Sequence, residues 1–275
     1  MRELGRRELE NIATGASVLG SGGGGGSELG QTLIRLIIEK NPEGVKLIGL
    51  DELNPEDWGA VVAEIGAPSA AQDIKVLNSS TQAFEVLSDI LRQQFSFVLP
   101  VEIGENTLIA ALTATLKNLP LIDGDGCGRS VPKMEMTTYA ASGVSIAPTV
   151  LASEKNPEVT TALYARNASE MEALVRPIIS TDQFGAMAGL ATWAMNSQTL
   201  RDQQILLPNT VTFAEEIGIT LRRARESKQD PIKALLAFLN QKQRDAVVLF
   251  HGIIADAQEQ SQGGFDGGVV TLKRD

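Results

Sequence analysis

Acidic side chains sit among glycines twice in this sequence, in Val101-Glu102-Ile103-Gly104-Glu105-Asn106 and in Asp123-Gly124-Asp125-Gly126-Cys127-Gly128-Arg129. Glycine allows the backbone to approach a ligand closely, and a carboxylate can take or give a proton. Glu102, Asp123 and Asp125 are therefore the candidate acid and base groups. If they share one site, mutual repulsion raises the pKa of one of them and leaves it protonated to act as the acid. Asn106 and Thr137 offer neutral hydrogen-bonding groups, and Arg129 suits a carboxylate through two parallel N–H donors. Each has a structural alternative. Glu102 can cap a helix, Arg129 can pair with Asp123 or Asp125, and Thr137 can cap a turn beside Met134 and Met136.

A third segment, Gly20-Ser21-Gly22-Gly23-Gly24-Gly25-Gly26-Ser27, precedes an expected helix. The amides of Gly22, Gly23, Gly24 and Gly25 can point into a common space, where the helix N-terminus adds positive potential for an anion or a carbonyl oxygen. Gly20, Gly22 and Gly25 also fit a dinucleotide fingerprint, but that motif needs a preceding strand, and the residues before it have helical spacing. A flexible linker is the plain alternative.

Other chemistries lack their residues. One histidine, His251, and one cysteine, Cys127, cannot between them make a His-rich zinc site or an intramolecular disulfide. Cys127 as a nucleophile needs a base that the neighbouring sequence lacks. Asp123-Gly124-Asp125-Gly126 opens like a calcium loop, yet the closing acid, Glu135, comes one residue late. No cofactor is required by the sequence. A divalent metal held by the three carboxylates is an alternative, for which Mg²⁺ or Mn²⁺ fits better than Zn²⁺.

These segments need elements to hold them. Apolar spacing predicts helices at 6–19, from Ser27 to about Lys40, 81–94, 106–116, 183–196, 210–226 and 231–240, the last capped by Asp230 ahead of Pro231. Short apolar runs bounded by Gly and Pro predict strands at 45–50, 60–66, 95–102, 120–123 and 159–165. This alternation implies a three-layer αβα domain on a mostly parallel sheet, spanning 1–243. Residues 244–275 read instead as an antiparallel hairpin, an incomplete small β domain whose open edge invites a homodimer. In a parallel sheet, ligands bind beyond the C-terminal strand ends. The glycine run, Glu102 and the 123–129 loop are thus expected to meet in one cleft.

The chain of 275 residues is 43% hydrophobic and 21% charged, with a formal net charge of −10. That composition supports a packed core and disfavours nucleic acid or an anionic membrane as partners. Met1 to Glu10 is charged with no apolar run behind it, so no secretory signal is read. No apolar stretch is long enough to span a bilayer. A cytoplasmic protein acting on a small molecule is expected.

Several segments in order add a resemblance: ELENIATGA followed by LGSGGGGG, DELNPEDWGAVVAEIGAP, PVEIGEN and LIDGDGCGRSVPKMEMTT, then NTVTFAEEIGITLRRAR, DPIKALL and HGIIADAQEQSQGGFDGGVVTL. Together they resemble the S-methyl thiohydantoin desulfurase family, which is associated with hydantoinases. The resemblance covers nearly the whole chain. It implies a three-layer αβα domain with a small β-rich domain, and hydrolysis of a hydantoin- or thiohydantoin-type ring by attack of water. It also implies a place beside hydantoinases, as a partner subunit. The alternatives are a nucleotide- or metabolite-binding protein without hydrolytic activity and a non-catalytic subunit of a hydantoinase complex. The sequence departs from the family pattern in carrying Lys133 where an acid is usual and Cys127 where methionine is common. It also ends soon after GGVVTLKRD, where relatives continue.

Overall fold

In the computed structural model of the chain, residues 1–21, 27–66, 78–262 and 265–274 are described. The chain opens with β1 (Arg2–Leu4) and α1 (Arg6–Gly20), which buries Leu9, Ile12 and Ala16 at helical spacing. Next come α2 (Ser27–Lys40), β2 (Val45–Ile48), β3 (Trp58–Gly66), α3 (Ser79–Leu91), β4 (Phe95–Pro100) and α4 (Asn106–Lys117). The very short β5 (Leu121–Ile122) and β6 (Gly124–Asp125) follow, then α5 (Thr138–Ala141), β7 (Thr149–Ser153), β8 (Thr160–Leu163) and α6 (Ala168–Ile179). The remainder is β9 (Met187–Asn196), α7 (Ser197–Asp202), β10 (Leu207–Pro208), α8 (Thr210–Glu226), α9 (Pro231–Gln241), β11 (Ile253–Gln262) and β12 (Phe265–Lys273).

Eight strands make one mixed sheet in the order β1-β2-β5-β4-β3-β9-β7-β8. The four strands β2, β5, β4 and β3 run parallel, and the rest join antiparallel. Both faces are covered. Along β3, Ala60 and Val62 enter the core under α1–α4 and α8, while Val61, Ala63 and Ile65 enter the opposite core with α5, α6 and α7. This two-sided burial is why the strand is a near-continuous apolar run. α4 has buried residues all round because it packs against α2 and the sheet together.

One expectation is corrected. Residues 187–196, read from the sequence as part of a helix over 183–196, form β9, which lies antiparallel between β3 and β7. The run MAGLATWAM is buried on both sheet faces, so it has no alternation, and periodicity alone cannot separate such a strand from a buried helix. The strand is also fixed by close approach: a Cβ at Gly189 would lie 2.1 Å from the Ser80 amide nitrogen at the start of α3. β11 and β12 pair as the antiparallel hairpin expected of the tail, with a register shift between Ile254 and Asp256.

Candidate functional site

The C-terminal ends of the neighbouring parallel strands β3 and β4 open on a cavity of about 830 Å³. β3 contributes Glu64 and Gly66 to its wall, and the turn after β4 contributes Glu102 and Asn106. Arg129, Lys133 and Thr137 come from the loop after β6, and Arg176 comes from α6. Residues 257–259 and 267–270 of the β11–β12 hairpin also line it.

Asn106 organises the deep end. Its Nδ2 donates to Glu102 Oε1 at 2.8 Å, and its Oδ1 accepts from the Glu64 backbone N–H at 2.7 Å. Only this amide orientation serves both partners. Glu102 is 4% exposed, and its Oε2 accepts from the Val131 N–H at 2.7 Å. Burial pushes the Glu102 carboxyl up, while the Asn106 and Val131 donors pull it back. Both of its oxygens thus have donors, which favour the charged form against a net upward shift to which Asp125 also adds.

Glu64 is the contrasting acid. Its Oε2 is buried with no hydrogen-bond partner among the described residues. Burial, with the charges of Glu154 and Glu105 added, pushes this carboxyl up to about 8. Glu154 is itself held by the Asn78 and Ser79 amides, at 2.7 and 2.6 Å. Burial pushes Glu105 up to about 7, opposed by the Gly30 amide. Burial thus raises both carboxyls on this wall, but Glu102 has a donor on each oxygen while Glu64 Oε2 has none, a difference that favours Glu102 as base and Glu64 as acid.

The other expected acids point elsewhere. Asp123 accepts from the Thr212 amide at 3.0 Å and from the Thr212 hydroxyl, and so fixes the start of α8. Asp125 is fully buried, with its Oδ1 accepting from the Cys127 amide and from the Gly128 amide at 2.7 Å. Burial pushes its carboxyl up. Neither residue lines the cavity. An Asp between glycines tends to bond its own turn, as Asp125 does through Oδ1, while Asp123 is taken up by the distant Thr212. Among the described residues no group of three Asp, Glu, His or Cys side chains is placed to hold a metal ion. The three-carboxylate metal site is therefore not assembled.

Thr137 lines the cavity, but its hydroxyl donates to Met134 O at 3.0 Å and accepts from the Ala140 amide at 3.2 Å as the cap of α5. Burial pushes the Cys127 thiol up, away from the thiolate form, and Cys127 does not line the cavity. Gly22, Gly23, Gly24 and Gly25 lie outside the described residues, while Gly20 and Ser21 before them line the cavity. Sequence reading passed over Glu64, although a lone acid inside the apolar run VVAEIG was its signal. It also passed over Arg176, whose position in α6 gave none.

No helix among the described residues is long and apolar enough to cross a membrane. No curated protein matches the sequence. A solved protein from Chromobacterium violaceum matches over 88% of this chain and 67% of that one, at 29% identity and a TM-score of 0.79. The S-Me-THD-like N-terminal domain matches residues 7–162 and the S-Me-THD-like C-terminal domain matches residues 166–275. The eight-stranded sheet crosses this join, since β9 of the second region pairs with β3 and β7 of the first. With both of the family's domains present in order, the chain belongs to the S-Me-THD-like family.

Proposed function

We propose that this protein hydrolyses a hydantoin- or thiohydantoin-type cyclic amide in the cavity beyond β3 and β4. The observation that carries this reading is the Glu64–Asn106–Glu102 arrangement, in which Glu102 has a donor on each oxygen and suits the base, while the unpartnered, buried Glu64 suits the acid. Glu102 takes a proton from water as its oxygen bonds to the ring carbon. Glu64 gives its proton to the departing atom, a ring nitrogen when a C–N bond breaks or a thiolate sulfur when a C–S bond breaks. The proton gained by Glu102 returns to Glu64 through solvent, so the enzyme is regenerated. Asn106 fixes the spacing of the pair, which supplies the orientation that acid–base catalysis needs.

The test is turnover of simple hydantoins and S-methyl thiohydantoins, read as ring-opened product by mass spectrometry and as released thiol. Glu64→Gln and Glu102→Gln should each lower the rate by roughly 10² to 10⁴. Full turnover in both variants, or none by the unaltered protein on any of these rings, would overturn the reading. Binding without turnover would favour a metabolite-binding role.

A further inference from the structure

We propose that Arg129 and Lys133 form an anion subsite in the cavity, and that the substrate is a cyclic amide whose ring substituent ends in a carboxylate. The ring at the deep end rests on the reading above; the anion subsite stands on its own observations. The chain carries a net charge of −10, yet the segment Arg129-Ser130-Val131-Pro132-Lys133 brings two cations and no acid to the cavity wall. Their charges are weakly committed. Arg129 Nε donates to Ser130 O at 3.3 Å. Lys133 Nζ lies 3.8 Å from Glu135 in an exposed pair, an interaction of small worth that an incoming carboxylate can replace.

The segment is also held in place before any ligand arrives. The Val131 amide donates to Glu102, Arg176 Nη2 donates to Pro132 O at 3.2 Å, and the Met134 amide donates to Glu172 at 3.1 Å. Arg176 in turn is tied to Glu172 at 2.6 Å. Its charge is paired with Glu172 inside this brace, while Arg129 and Lys133 line the same cavity. A subsite that is already ordered loses less on binding. Val131 sits two residues from each cation and touches Glu102. Chain reach of about 3.5 Å per residue keeps both Cα atoms within about 7 Å of it, so one small molecule spans acid and cations. Charge sets the direction: Glu102 repels a carboxylate at the deep end, while Arg129 and Lys133 attract it at the loop. The cavity of about 830 Å³ has room for a substituent beyond a five-membered ring.

The experiment compares binding of hydantoin-5-propionate with its uncharged carboxamide by calorimetry, on the unaltered protein and on the Arg129→Ala/Lys133→Ala double variant, with circular dichroism as the check on folding. The carboxylate should bind roughly 10- to 100-fold tighter to the unaltered protein, from charge-assisted hydrogen bonds. That preference should shrink toward unity in the double variant and weaken with added salt. Equal affinity for the two compounds, binding of neither, or a preference that survives in the double variant would overturn the proposal. A carboxylate preference without ring opening leaves the subsite standing and removes the hydrolytic reading. Ring opening of both compounds with equal affinity does the reverse.

Discussion

At the scale of single residues, Glu64 is a cavity carboxyl held far from its ordinary ionisation. Its carboxyl is held up to about 8 by burial and by the neighbouring charges of Glu154 and Glu105. In the unfolded chain the same group ionises near its usual value of about 4.5. The folded state therefore binds a proton that the unfolded state releases, and stability falls as pH rises through this window. Below about 4.5 both states are protonated and the contribution is intact. Above about 8 the penalty is complete, with each tenfold difference in proton affinity between the two states worth about 1.4 kcal/mol. Glu64→Gln keeps the shape of the protonated acid and cannot ionise. Melting curves from about pH 4 to about pH 9 should show the native protein losing ground to this variant as pH rises, with the gap levelling off above about 8. Parallel Tm-versus-pH curves would contradict that ionisation.

Among the elements, the crossing of α1 and α8 is tightly constrained from both sides. A Cβ at Gly15 would lie 1.8 Å from the Ala214 carbonyl oxygen, and one at Gly218 would lie 1.9 Å from the Asn11 carbonyl oxygen. The two glycines let the helix backbones touch reciprocally, so added methyl groups meet main chain that cannot rotate away. α1 runs into the cavity edge at Gly20 and Ser21, and α8 begins where Asp123 anchors it. Gly218→Ala should therefore cost at least about 2 kcal/mol of stability by denaturant titration, at the upper part of the overpacking range. A loss below about 0.5 kcal/mol would mean that the helices slide apart freely.

Across the whole molecule, the hairpin of β11 and β12 stands apart from the cores. Ile253, Ile254, Val269 and Val270 are exposed, and none of its described residues belongs to either hydrophobic cluster. α9 has no buried residue and meets α8 through the stacked Phe213–Phe238 pair. The boundary expected near residue 243 falls inside the second matched family region. A chain cut after Gln243 should keep cooperative unfolding, with Tm within about 4 °C of the intact protein, because little apolar burial is removed. It should lose affinity for cavity ligands, since residues 257–259 and 267–270 complete the wall. Loss of the cooperative transition would show that the hairpin is part of the folding unit.

What the sequence determined was local and repetitive. Helix starts such as Pro231 behind Asp230 were readable, and Asp230 Oδ1 does accept from the Ile232 and Lys233 amides. So were the β3 and β4 runs, the hairpin tail and the ordered motifs of the family, because each depends on residues a few positions apart. Glu102 was legible for the same reason: it sits where a parallel strand ends and a helix begins. The tertiary structure decided which acids face the cavity. Asp123 and Asp125 looked equal to Glu102 as carboxylates, but Thr212, 89 positions away, binds one, and the turn amides bind the other. Glu64 became unusual through burial, with the charge of Glu154, distant in sequence, added to it. β9 became a strand because β3 and β7 supplied partners on both sides. Periodicity and caps are short-range properties carried by the chain itself. Desolvation, charge–charge repulsion and strand pairing depend on separations in space, and those exist only once the sheet has closed.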